Sequence, residues 1–153
     1  MKWRKTMAEA RIEKTIFLKA DPSRVWAFLT DPEMLARWFH PADRSLAEKG
    51  PYQFWRNAES VGEEFCWGEV VDVEADVRLV YTFAHKWLGR HETRVSWRLS
   101  PVDGGTRLQL VHEGFQDAPV DVFDCLCDHD AGWDEHFTKL RERVLEPQAE
   151  AVA

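Results

Sequence analysis

The sequence predicts an α+β domain in which a curved antiparallel sheet wraps a long C-terminal helix. Three observations predict it. Short β-branched and aromatic runs fill the middle of the chain, two Asp-Pro pairs follow the first such run, and an apolar stripe at helical spacing lies near the end. The 153 residues are close to the usual size of one domain, so a single hydrophobic core is expected.

Arg11 to Lys19, with Ile12, Thr15, Ile16, Phe17 and Leu18, reads as the first strand. Asp21 then offers a helix N-cap, Pro22 suits the first helical position, and Val25, Trp26 and Leu29 follow helical spacing. Asp31-Pro32 ends that helix and starts a second, whose apolar side is Met34, Leu35, Trp38 and Phe39 and which stops before Pro41. Five strands are expected next, over Tyr52 to Arg56, Glu64 to Glu74, Arg78 to His85, Glu92 to Ser100 and Thr106 to Glu113. Asp103-Gly104 marks a hairpin between the last two, and an irregularity is expected near Gly68.

Strand alternation assigns faces. Thr93, Val95, Trp97 and Leu99 share one side, and Thr106, Leu108, Leu110 and His112 share the inward side of the next strand. After Asp117-Ala118-Pro119, the residues Trp133, Phe137, Leu140 and Val144 step by helical intervals and end before Pro147. The expected organisation is an extended segment over residues 1–10, one domain over 11–146 and a tail over 147–153.

Composition narrows the function classes. The formal net charge of -7 opposes attraction to nucleic acid or to an anionic membrane surface. No apolar run approaches the length of a membrane span, and the basic first residues have no apolar stretch behind them. A cytoplasmic protein is therefore expected. Cys66, Cys125 and Cys127 are too few and odd in number for a disulfide framework, so reduced thiols are expected.

A resemblance then emerges from specific text. Ala20-Asp21-Pro22-Ser23-Arg24-Val25-Trp26-Ala27-Phe28-Leu29-Thr30-Asp31-Pro32, then Trp38-Phe39 and Gly68-Glu69-Val70, resemble the SRPBCC or START-like helix-grip superfamily. Within it they resemble the family related to the activator of the heat-shock-protein-ninety ATPase. Arg78-Leu79-Val80-Tyr81-Thr82, Val95-Ser96-Trp97-Arg98-Leu99, the run from Gly104 to Phe115 and Gly132-Trp133 continue the likeness in order. The resemblance implies a helix-grip fold, often hollow, and a chaperone- or stress-linked setting. It does not fix a ligand, because members share the grip while differing in function. Lys49-Gly50-Pro51 and the segment around Cys125 and Cys127 depart from the family pattern. The co-chaperone role of eukaryotic relatives uses a separate N-terminal domain that this chain lacks, so full co-chaperone activity is not expected.

The residues most suited to bind a ligand are Phe54, Trp67, Tyr81, Phe83, Trp97, Leu110, His112, Trp133 and Phe137, read as the wall of an inner cavity for a hydrophobic or aromatic small molecule. Their alternative is a filled core. His112, His129 and His136 are the polar candidates; the last two lie seven positions apart on a helix, about 10 Å, which is awkward for one metal ion. No metal and no cofactor is expected. The chain has no nucleophile elbow, P-loop or dinucleotide fingerprint, so binding is favoured over catalysis. Were there an enzyme here, resembling the cyclase, aromatase or hydrolase members of the superfamily, His112 would be its acid or base, aided by Tyr81 or His136. A surface interaction module marked by an exposed Trp87 is the third reading. A protein partner and a homodimer stay open beside the small molecule.

Overall fold

The computed structural model describes residues 8–147. The expected extended segment and tail therefore fall largely outside the described residues. Strand β1 spans Ile12–Leu18, and Asp21 caps α1 (Pro22–Thr30) by accepting from the Arg24 N–H at 3.0 Å. Asp31 caps α2 (Pro32–Trp38) in the same way, accepting from the Glu33 N–H at 2.9 Å. Both Asp-Pro pairs thus supply a cap followed by a residue preset for the first helical turn.

The remaining strands are β2 (Gly50–Phe54), β3 (Cys66–Glu74), β4 (Arg78–His85), β5 (Thr93–Val102) and β6 (Gly105–Glu113). They form one antiparallel sheet in the order β1-β6-β5-β4-β3-β2. The meander from β2 to β6 is closed by β1, which returns to pair with β6 from Ile12↔His112 to Leu18↔Thr106. The hairpin between β5 and β6 turns through Asp103 and Gly104, of which only Gly104 takes a positive φ, at 88°. Helix α3 (Val122–Arg143) lies in the concave side and buries Cys125, Trp133, Phe137 and Leu140. Its C-terminal end is tied to α1: the Arg24 guanidinium donates to the carbonyls of Val144, at 2.9 Å, and Glu146.

The irregularity expected near Gly68 falls slightly later in β3. The β3–β4 register is constant from Cys66↔His85 to Val70↔Tyr81 and shifts once, between Val70 and Asp72. Gly68 precedes that shift, at a point where a Cβ would lie 1.9 Å from the Thr82 carbonyl oxygen and 2.9 Å from the Tyr52 hydroxyl. Only a residue without a side chain permits that approach. The Tyr52 hydroxyl in turn donates to the Thr82 carbonyl at 2.5 Å.

The alternation in β5 and β6 is followed throughout: Thr93, Val95, Trp97 and Leu99 are buried, as are Thr106, Leu108, Leu110 and His112. Trp97 is the hub of the aromatic core. Its ring meets Trp38, Trp133 and Phe137 edge-on, and its indole N–H donates to the Tyr81 hydroxyl at 3.1 Å.

Candidate functional site

A cavity of about 290 Å³ opens between α3 and one end of the sheet. Its helical wall is Asp128, His129, Gly132, Trp133 and His136, a spacing of one and three residues that keeps all of them on one face of α3. Cys66 of β3, Phe83 and His85 of β4 and His112 of β6 form the sheet wall. Phe39 and His40, just past α2, close one side with Phe65, and Trp87 stands at the rim in the turn after β4. Trp87 is 55% exposed, packs against Phe65 at 5.4 Å and lies under the Arg56 guanidinium. The Phe39 ring stacks on Trp133 at 5.4 Å, with an angle of 4° between planes.

Of the residues singled out from the sequence, the cavity gathers Phe83, His112 and Trp133 from the expected ligand wall, and His129 and His136 from the polar candidates. Phe54, Tyr81, Trp97, Leu110 and Phe137 face inward as expected, but they are packed core behind that wall. Trp67 corrects the expectation of an inward ring. It stands on the opposite face of β3 from the buried Cys66, paired in register with Ala84 and covered by the Arg90 guanidinium 4.4 Å from its ring. Phe39, His40, Phe65, Cys66 and His85 line the cavity without having been expected there, and Trp87, expected as an exposed surface residue, stands at its rim. His85 carried a usable signal, because it shares strand parity with Leu79, Tyr81 and Phe83.

Five of the six histidines line this cavity, and their hydrogen bonds fix their tautomers. The Trp133 indole, which can only donate, gives its N–H to His112 Nδ1 at 3.1 Å. His112 Nδ1 is therefore bare and its Nε2–H donates to the Thr93 hydroxyl at 2.8 Å, which donates onward to the Phe83 carbonyl at 2.8 Å. Both ring nitrogens are engaged in a closed neutral chain, so His112 has no free nitrogen to serve as the acid or base expected of it. Tyr81 lies in the core and gives that role no support.

The other four bind differently. His129 donates Nδ1–H to the Cys125 carbonyl at 2.8 Å, leaving Nε2 to accept from His85 Nε2–H at 3.1 Å. That leaves His85 Nδ1 a buried acceptor without a partner. His40 donates Nδ1–H to the Arg56 carbonyl at 3.2 Å, and His136 donates Nδ1–H to the Trp38 carbonyl at 3.1 Å. Burial, by disfavouring the charged imidazolium, pushes all five down from the ordinary histidine value. His40 and His85 fall to about 4, and His112, beside His129 and His85, lies well below its usual range. Burial also pushes the Cys66 thiol up.

His129 and His136 do not converge; His129 meets His85 instead, while His136 faces His40 at 5.5 Å between ring centres. Among the described residues, no group of three or more His, Cys, Asp or Glu is arranged to hold a metal ion. The three cysteines are free thiols, Cys66 and Cys125 buried and Cys127 exposed. No described helix is long and apolar enough to cross a membrane.

Comparison with known proteins agrees with this architecture. The family model described as activator of Hsp90 ATPase homolog 1-like protein matches residues 19–144. Among solved structures, protein MLL2253 from Mesorhizobium loti is similar at 24% identity over 91% of this chain and 98% of its own, with a TM-score of 0.74. CalU16 from Micromonospora echinospora is 23% identical over 88% of this chain and 76% of its own, with a TM-score of 0.71. The Aha1 dimer from Colwellia psychrerythraea, 16% identical over 91% of this chain and 98% of its own, gives 0.69. No curated protein sequence matches the chain. These structural likenesses show a shared fold.

Proposed function

We propose, for a chain that belongs to the family of activator of Hsp90 ATPase homolog 1-like proteins, that its role is to bind a small aromatic or apolar molecule inside the grip. The observation that carries this reading is the cavity of about 290 Å³ walled by Phe39, Phe65, Phe83, Trp87 and Trp133. That volume is at the small end of ligand pockets, which suits a ligand of one or two rings. Aromatic walls supply a large apolar contact with little side-chain entropy to lose.

Gly132 provides the test. A Cβ at this position meets nothing within 4 Å, so Gly132→Leu places its side chain in the cavity from a helix that tolerates it. Mass spectrometry of small molecules released by denaturing the purified protein should find a ligand with the natural chain and none with the variant. An empty extract from the natural chain, or equal extracts from both, would sink the proposal.

A second reading is a surface contact through the rim. Trp87 is exposed, with Phe65 and Arg56 packed on it, which is the composition of a protein-binding anchor. By family membership its partner would be a chaperone ATPase, and a homodimer like that of the Colwellia psychrerythraea protein is the self-association to look for. Free thiols at Cys66, Cys125 and Cys127 suit a reducing compartment such as the cytoplasm.

A further inference from the structure

We infer that the cavity selects aromatic molecules that carry a hydroxyl or an N–H, received by Nε2 of His40 and Nε2 of His136. The inference rests on the cavity being a ligand site, as proposed above, and adds the chemistry of the ligand. His40 and His136 each spend Nδ1–H on a backbone carbonyl, that of Arg56 and that of Trp38. A neutral imidazole held that way presents a lone pair at Nε2 and nothing else. Among the described residues no protein donor reaches either Nε2, and the two rings line the same cavity edge-to-face, with centres 5.5 Å apart.

The remaining polar wall has the same sign. Asp128 adds a carboxylate at the rim, and the unpartnered Nδ1 of His85 lies buried behind the wall. Of the two indoles lining the cavity, that of Trp133 gives its N–H to His112, and that of Trp87 stands at the exposed rim. Acceptors therefore outnumber free donors on this wall. A phenol or aryl amine completes them, whereas an apolar ring of the same shape would bury them unpaired. A carboxylate or phosphate brings only acceptors and would require charged imidazoles, which burial opposes.

The experiment is calorimetric titration, near neutral pH, with β-naphthol, its methyl ether and β-naphthoate. β-Naphthol should bind at least about tenfold more tightly than the ether, with the naphthoate weakest. In the double variant His40→Phe/His136→Phe that preference should collapse while the ether still binds, which also shows that the variant is folded. Equal affinity for naphthol and ether in the natural chain, or tighter binding of the naphthoate, overturns the inference but leaves the cavity reading in place. A preference abolished by EDTA also overturns it, since a metal ion would then be receiving the hydroxyl. Binding of none of the three overturns both readings.

Discussion

The indole N–H of Trp133 on α3 points at Nδ1 of His112 on β6, 3.1 Å away, and this single bond settles which ring nitrogen of a fully buried histidine carries the proton. Nitrogen-resolved NMR near neutral pH should show His112 with a bare Nδ1 and a protonated Nε2. A doubly protonated ring there would contradict the arrangement. His112→Leu should cost about 2 kcal/mol in denaturant unfolding, because it strands the buried indole donor of Trp133.

Acid should unfold this protein earlier than its carboxylates alone would require. In the unfolded chain each imidazole titrates near its ordinary 6.5, whereas His40 and His85 in the fold stay neutral down to about 4. Between those values the unfolded chain binds more protons, so stability is full above about pH 6.5 and falls as the pH drops toward 4. Each such histidine contributes a slope of up to about 1.4 kcal/mol per pH unit, and the lowered His112, His129 and His136 steepen it. Urea midpoints measured across this window should fall, and the double variant His40→Gln/His85→Gln should show a shallower fall. A flat profile would contradict the assignment of neutral buried rings.

Gly132→Ala should stabilise the fold. The position is inside α3, its added methyl meets open space, and alanine is favoured over glycine in a helix by about 1 kcal/mol. A small rise in the thermal midpoint is expected; a drop would mean that the cavity wall is closer than described.

Gly68→Ala should do the reverse. Its methyl would collide with the Thr82 carbonyl, which is backbone and cannot swing aside. A loss of about 3 kcal/mol or failure to fold is expected, read as a lower urea midpoint or insoluble expression. Near-unchanged stability would show that β3 and β4 can separate at this point.

Much of the fold was legible because each element carries its own signal. The Asp-Pro caps, the alternation of β5 and β6 and the Trp133-Phe137-Leu140 stripe are local patterns, and each element formed as they require. The cavity was legible only in part. Alternation says that Trp97 and His112 face inward, yet whether an inward ring is packed or walls a space depends on which elements reach it. Trp38, Trp133 and Phe137 all converge on Trp97 and fill its surroundings. Phe39 and His40 reach the site through the docking of α2 against α3, a long-range contact with no local signature. Trp67 was misplaced because parity alone does not say which face is inner, and the shift between Val70 and Asp72 blurs it further.

The order β1-β6-β5-β4-β3-β2 leaves β1 and β2 at the margins of the sheet, and each is guarded against accretion of a stray strand. Lys14 of β1 turns its ammonium toward α3, 2.8 Å from both Asp130 and Asp134, so a charge sits on the side of the strand where an invading chain would want an apolar residue. At the far margin, β2 is only five residues long and carries Pro51, which has no N–H to offer. Self-association by sheet extension is thereby discouraged at both ends. These margins favour a symmetric pairing of two copies through side chains over one through a shared backbone ladder.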